Sequence, residues 1–234
     1  MYKITFLISI LFLFISCSSE DDKTKEKETS IEKPVTTDLS MQNSAVSFIS
    51  NQEDVIMYGS IKLNQLLNKA YYDSDIAKSD LFSSAFVEQA IEEIERIKSY
   101  LNVGIPIYYA MKSSENIDDM ELIVFGGIND KEAIIKEIIS NKSTLSKKDH
   151  KSFTLIQEPG VSMALTKNKF IFRISSNLRE KNLPKIFDTY FNSFNGKKDL
   201  TVQTVFNKSK DVNITYDYGK IMKLYQENIQ SISG

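Results

Sequence analysis

The stretch from Phe153 to Ile174 limits the fold more than any other. Three strand-like segments, Phe153 to Gln157, Val161 to Thr166 and Lys169 to Ile174, are joined by the turns Pro159-Gly160 and Lys167-Asn168. Parallel neighbours need a crossover of a dozen or more residues, so joins this short allow only antiparallel pairing. The chain must therefore contain a three-stranded meander, and the meander needs a covered face.

Segments on either side extend the pattern. Asp54 to Tyr58, continuing to Ile61, reads as a strand with Gly59 and Ser60 at its limit. Leu63, Leu66, Leu67 and Ala70 then repeat at helical spacing. Ser83 or Ser84 caps a longer helix to about Leu101, with an apolar stripe from Val87 through Ile94 and Ile97 and a solvated face of Glu92 and Arg96. Asn102 and Gly104 stop it. Ile105 to Met111 is a strand whose Pro106 confines it to a strand start or an edge. Ser113 to Met120 is a polar loop, and Leu122 to Phe125 is a strand closed by Gly126-Gly127. Asn129 caps the next helix, with Glu132 in the reciprocal position. Lys147 to Lys151 is a basic loop, and Leu178 to Phe194 a helix with Pro184 early in it. Hairpins outnumber crossovers in this order. The class is α+β, an antiparallel sheet with helices packed on one face, over residues 41–200.

The tail repeats an earlier arrangement. Asp211 to Tyr216 leads into Ile221, Leu224 and Tyr225 much as Asp54 to Tyr58 leads into Leu63, Leu66 and Leu67. Residues 201–234 are thus expected to be a partial second repeat or an edge extension of the sheet.

Composition removes several functions. Lys+Arg 29 against Asp+Glu 31 leaves a net charge of −2, which excludes a broad nucleic-acid surface. One Cys excludes a disulfide framework or thiolate cluster, and one His excludes a site with two imidazoles. That His, His150, stands among lysines where a solvated side chain is expected, and no Gly-x-Ser-x-Gly elbow accompanies it. Gly126-Gly127 before a helix reads as a turn, not an anion cradle. Glu115, Asp118, Asp119 and Glu121 share a loop but lack the acid alternation and central Gly of a calcium loop. No catalytic residue, metal ligand or cofactor site is assigned. Tyr71-Tyr72 and Tyr108-Tyr109 are candidates for a contact patch.

The chain's address is its most specific motif. Ile4 to Ile15 is an apolar run of roughly 12 residues behind Lys3, too short for a spanning helix of about 20. It ends Leu13-Phe14-Ile15-Ser16-Cys17. This resembles the lipobox of bacterial lipoproteins, which implies a signal peptide over residues 1–16 and acylation of Cys17. Ser18 replaces the Asp that retains many such proteins at the inner membrane, and Glu20-Asp21-Asp22 resembles the surface-export signal of Bacteroidota lipoproteins. Residues 17–40 are charged and poor in aromatics, a disordered tether by composition. With the lipobox, Asp54 to Ala70, Ile105 to Tyr109, Glu121 to Gly127, Asp149 to Gln157, Val161 to Ile174 and the restart at Asp211, the chain resembles an uncharacterised two-repeat lipoprotein family of Bacteroidota. Its members are typically longer, so the second repeat is expected to be cut short.

That resemblance brings no activity. The expectation is a lipid-anchored protein of the outer membrane, surface-exposed or facing the periplasm. It acts there as a binding or structural module with the membrane and an envelope protein as partners, and without nucleic acid. The alternative is an envelope hydrolase using a carboxylate pair on glycan or peptide.

Overall fold

The structure is a computed structural model that describes residues 39–66, 96, 98–113, 120–140, 145–176, 182–208 and 210–232. All of these lie in one compact unit, Val35–Gly234. The signal peptide, Cys17, most of the tether, and the stripe from Val87 to Ile94 fall outside the described residues, as do Tyr71-Tyr72, Glu115, Asp118 and Asp119.

The elements in chain order are α1 (Leu39–Ser50), β1 (Val55–Ile61), β2 (Ile107–Ser113), β3 (Met120–Gly127), α2 (Lys131–Ser140) and β4 (Ser146–His150). They continue with β5 (Phe153–Glu158), β6 (Val161–Leu165), β7 (Lys169–Ser175), α3 (Leu183–Ser193), α4 (Leu200–Phe206), β8 (Val212–Tyr216) and α5 (Tyr218–Ile232). The strands form one sheet in the order β4-β5-β6-β7-β3-β2-β1-β8, and every neighbouring pair is antiparallel. The α+β class and the antiparallel sheet are thus present, and the meander is β5-β6-β7. Its first turn needs Gly160, whose φ of 76° a side chain would oppose. At its second, Thr166 and Lys169 exchange backbone and hydroxyl hydrogen bonds.

Register decides which side chains share a face. Tyr108, Phe125, Ile171, Ala164 and Leu155 stand opposite one another across β2, β3, β7, β6 and β5. Helices α1, α3 and α4 cover that face. Phe48 of α1 meets Phe125 at 5.0 Å, Tyr190 at 5.5 Å and Phe194 at 5.7 Å between ring centroids, while Phe206 of α4 meets Tyr108 at 5.1 Å. The reverse face buries Tyr109, Val124, Ile156, Leu165 and Phe170.

Several local expectations change. Helices α1 and α4 add to the expected elements, and α4 starts behind an Asp199 side chain that accepts from the Thr201 amide. The expected basic loop is strand β4, since its pairing with β5 satisfies the backbone whatever the side chains. The cap of α2 is Asp130, whose Oδ1 accepts from the Ala133 amide at 2.9 Å. Asn129 instead donates its side-chain amide to the Leu101 carbonyl at 3.0 Å. Gly126 and Gly127 continue β3 inside the ladder, opposite Phe170 and Lys169, so neither a turn nor an anion cradle forms there.

The tail adds an edge strand. β8 pairs with β1 from Met57↔Tyr216 to Ile61↔Val212. Tyr109 reaches across β1 to donate its hydroxyl to the Asn213 carbonyl at 3.1 Å. Gly59 permits that crossing, because a Cβ there would fall on the Asn213 carbonyl and the Tyr109 hydroxyl. Gly59 therefore lies within the strand and does not bound it.

Candidate functional site

Charged side chains gather at one end of the helix-covered face. Register puts Lys112 of β2 opposite Glu121 of β3, with Arg173 of β7 diagonal to Glu121. Alternation aims all three toward α3. Arg173 Nε and the Tyr190 hydroxyl both donate to Glu121 Oε1. Lys112 Nζ lies 3.9 Å from Glu121 Oε2 and 3.4 Å from Asp54 Oδ2, and 5.6 Å from the Tyr190 ring centroid. The side chains of Arg173, Lys112 and Glu121 are 6 %, 13 % and 15 % exposed. Burial, and then the Glu121 charge, push the Tyr190 hydroxyl far above the ordinary tyrosine range. Glu121 thus leaves the acidic loop and becomes the centre of an ion network. Asp54 and Glu121 share Lys112 between them.

A shallow cleft of about 580 Å³ lies between the start of α2, the β4–β5 turn and Lys167. His150 lines it. Its Nε2 is 3.1 Å from Asp188 Oδ2 of α3, and its ring centroid is 4.8 Å from that of Phe153. The solvated His150 expected from its lysine neighbours is therefore corrected. β4 pairing places it opposite Phe153, within reach of α3. Asp149 accepts from the Thr154 hydroxyl at 2.7 Å, and that bond holds its carboxyl below the usual range. Among the described residues no three His, Cys, Asp or Glu side chains are grouped to hold a metal ion.

Tyr108 and Tyr109, candidates for a contact patch, are both buried, at 1 % and 4 % exposure. Exposed large apolar residues concentrate elsewhere. Tyr216, Tyr218, Met222 and Tyr225 are 54 %, 75 %, 46 % and 53 % exposed, on β8 and α5. Tyr225, expected from its spacing to be buried with Ile221 and Leu224, faces out, and only Leu224 of those three is buried. Sequence spacing could not choose, because Tyr218, Met222 and Tyr225 form an equally regular stripe. No described helix is long and apolar enough to cross a membrane.

Fold and site together define an α+β protein built on one eight-stranded antiparallel sheet, with a buried ion network and an exposed apolar stripe beside one edge. No family model matches the chain, and no curated protein matches it. Solved structures of TP0453 are similar to it. Crystal form IV has a TM-score of 0.46 at 12 % identity over 74 % of this chain and 67 % of that one. Form III gives 0.45 at 13 % over 72 % and 61 %, and form I gives 0.48 at 12 % over 75 % and 63 %.

Proposed function

We propose that this chain is a lipid-anchored protein of the bacterial outer membrane, held by acyl groups on Cys17, and that its folded body is a binding or structural module. The observation that carries this reading is the lone Cys of the chain placed directly after Ile15-Ser16 at the end of a short apolar run. Two or more acyl chains, each methylene contributing about 0.8 kcal/mol, hold a protein on a bilayer almost permanently. Among the described residues, Glu121 is held by Arg173, Lys112 and Tyr190, contacts that tie β2, β3 and β7 to α3 and support a structural part for that cluster. The lipobox, with Ser18 and the acidic triplet, supports surface exposure and a family likeness to Bacteroidota lipoproteins.

The test is metabolic labelling with an alkyne fatty acid in a Bacteroidota host, comparing the native chain with Cys17→Ala. Label on the native chain alone is expected, together with outer-membrane fractionation. Equal label in both would remove the anchor.

A further inference from the structure

We propose that the exposed stripe of α5 is a second membrane contact, seating the folded body on the lipid surface to which Cys17 would anchor it. The proposal rests on the lipid-anchor reading above. Tyr218, Met222 and Tyr225 lie at i, i+4 and i+7, which aligns them along one side of the helix. All three are about half exposed or more, and Tyr216 at the end of β8 adds a fourth ring next to them in sequence. The opposite side of α5 is fastened to the sheet. Leu224 is buried, and Lys220 donates to the Glu53 carbonyl and, at 3.2 Å, to the Val55 carbonyl. The helix is thus a fixed element with an outward apolar face.

Two observations favour a bilayer as the occupant. Tyrosine bodies with polar tips suit the boundary between headgroups and acyl chains, where an amphipathic helix lies in plane. Lys223, exposed and next to Met222 in the chain, carries the sign that complements anionic lipid, while Lys220 is turned to the sheet. Reach is the second. Residues 18–38 separate Cys17 from Leu39 and span at most about 75 Å when extended. An anchor at Cys17 therefore keeps Leu39, and the folded body that begins there, close to lipid, where even a weak surface contact is populated through effective concentration.

The experiment uses the acylated full chain in vesicles of phosphatidylethanolamine and phosphatidylglycerol. Acylation consumes the Cys17 thiol, so Met222→Cys provides one site for an environment-sensitive fluorophore. Lys185→Cys, at an exposed position of α3, provides the comparison. Retention on the vesicles reads the anchor, and quenching by lipids carrying a spin label near the headgroup reads the helix. Retention with several-fold stronger quenching at 222 than at 185 is the expected result. Retention with equal, weak quenching at both sites overturns the α5 contact and leaves the anchor standing. A label at 222 shielded from soluble iodide before vesicles are added means a second copy covers the stripe, which also overturns the proposal. Loss of retention overturns both readings. Circular dichroism matching the native chain for each labelled variant keeps unfolding from mimicking any of these results.

Discussion

Arg173 brings a permanent positive charge to the covered face of the sheet, where water cannot solvate it. A buried guanidinium needs a carboxylate with good geometry, and Glu121 on the neighbouring strand supplies it, while Tyr190 donates to the same oxygen and the Lys112 ammonium lies 3.9 Å from the other. Removing one partner is expected to hurt more than removing both. Glu121→Leu should lower the unfolding free energy by about 3–5 kcal/mol, because Arg173 stays buried without its countercharge. Glu121→Leu with Arg173→Met should recover much of that loss in urea denaturation. A single-variant loss below about 1 kcal/mol would mean the pair is solvated like a surface bridge. The strand reading of Lys169 to Ile174 passed over one signal of this network. Arg173 interrupts an otherwise apolar strand, Phe170 to Ile174, which marks a buried charge in need of a partner. The partner was not visible, because pairing across β3 and β7 depends on register, and Glu121 read equally well as part of an acidic loop.

Elements were legible where both their period and their ends were written in the chain. The β5-β6-β7 meander meets both conditions. Helix α1 has the period but not the ends, since Leu39–Ser50 is rich in Ser, with no acidic first turn and no basic last turn. What makes it a helix is burial, with Met41, Ala45 and Phe48 at helical spacing in the centre of the core. Phe48→Ala should therefore cost about 3–5 kcal/mol, the usual loss for a fully buried aromatic truncated in a packed core. A loss under 1 kcal/mol would mean α1 is an ornament on the sheet. β4 was hidden for the opposite reason, because Ser146 to Asp149 are exposed and only the hairpin geometry makes them a strand. At the other edge, β8 depends on one crossing. Gly59→Ala puts a methyl where Tyr109 reaches Asn213. Hydrogen exchange should show Val212 to Tyr216 losing protection while the meander keeps its own. Unchanged protection in β8 would show that backbone pairing alone secures it.

At the scale of the whole molecule, α1, α3 and α4 cover one face of the sheet, and its two edges differ. β4 presents Lys147, Lys148 and Asp149, charges that discourage a further strand, whereas β8 lies beside the exposed rings of Tyr216 and Tyr218. Buried tyrosines tie strands to one another and to α3, and this gives stability a definite dependence on pH. Burial raises the hydroxyls of Tyr58, Tyr109 and Tyr190 above the ordinary tyrosine value of about 10, with Asp199 adding at Tyr58 and Glu121 at Tyr190. The folded chain therefore keeps these protons when the unfolded chain gives them up. Below pH 10 the two states hold the same number of tyrosine protons, and the contribution is complete. Above it the unfolded state binds fewer protons and becomes relatively favoured, so stability falls as pH rises. Each of Tyr109 and Tyr190 adds a slope of up to about 1.4 kcal/mol per pH unit over that interval. Urea midpoints are expected to be flat in tyrosine terms from pH 7 to about 9.5 and to drop steeply beyond. Tyr109→Phe with Tyr190→Phe should start lower, having lost two hydrogen bonds, yet decline less steeply above pH 10. Parallel slopes for the native chain and the double variant would show that both hydroxyls ionise in the folded state as freely as in the unfolded one, and that the covered faces of this sheet admit water.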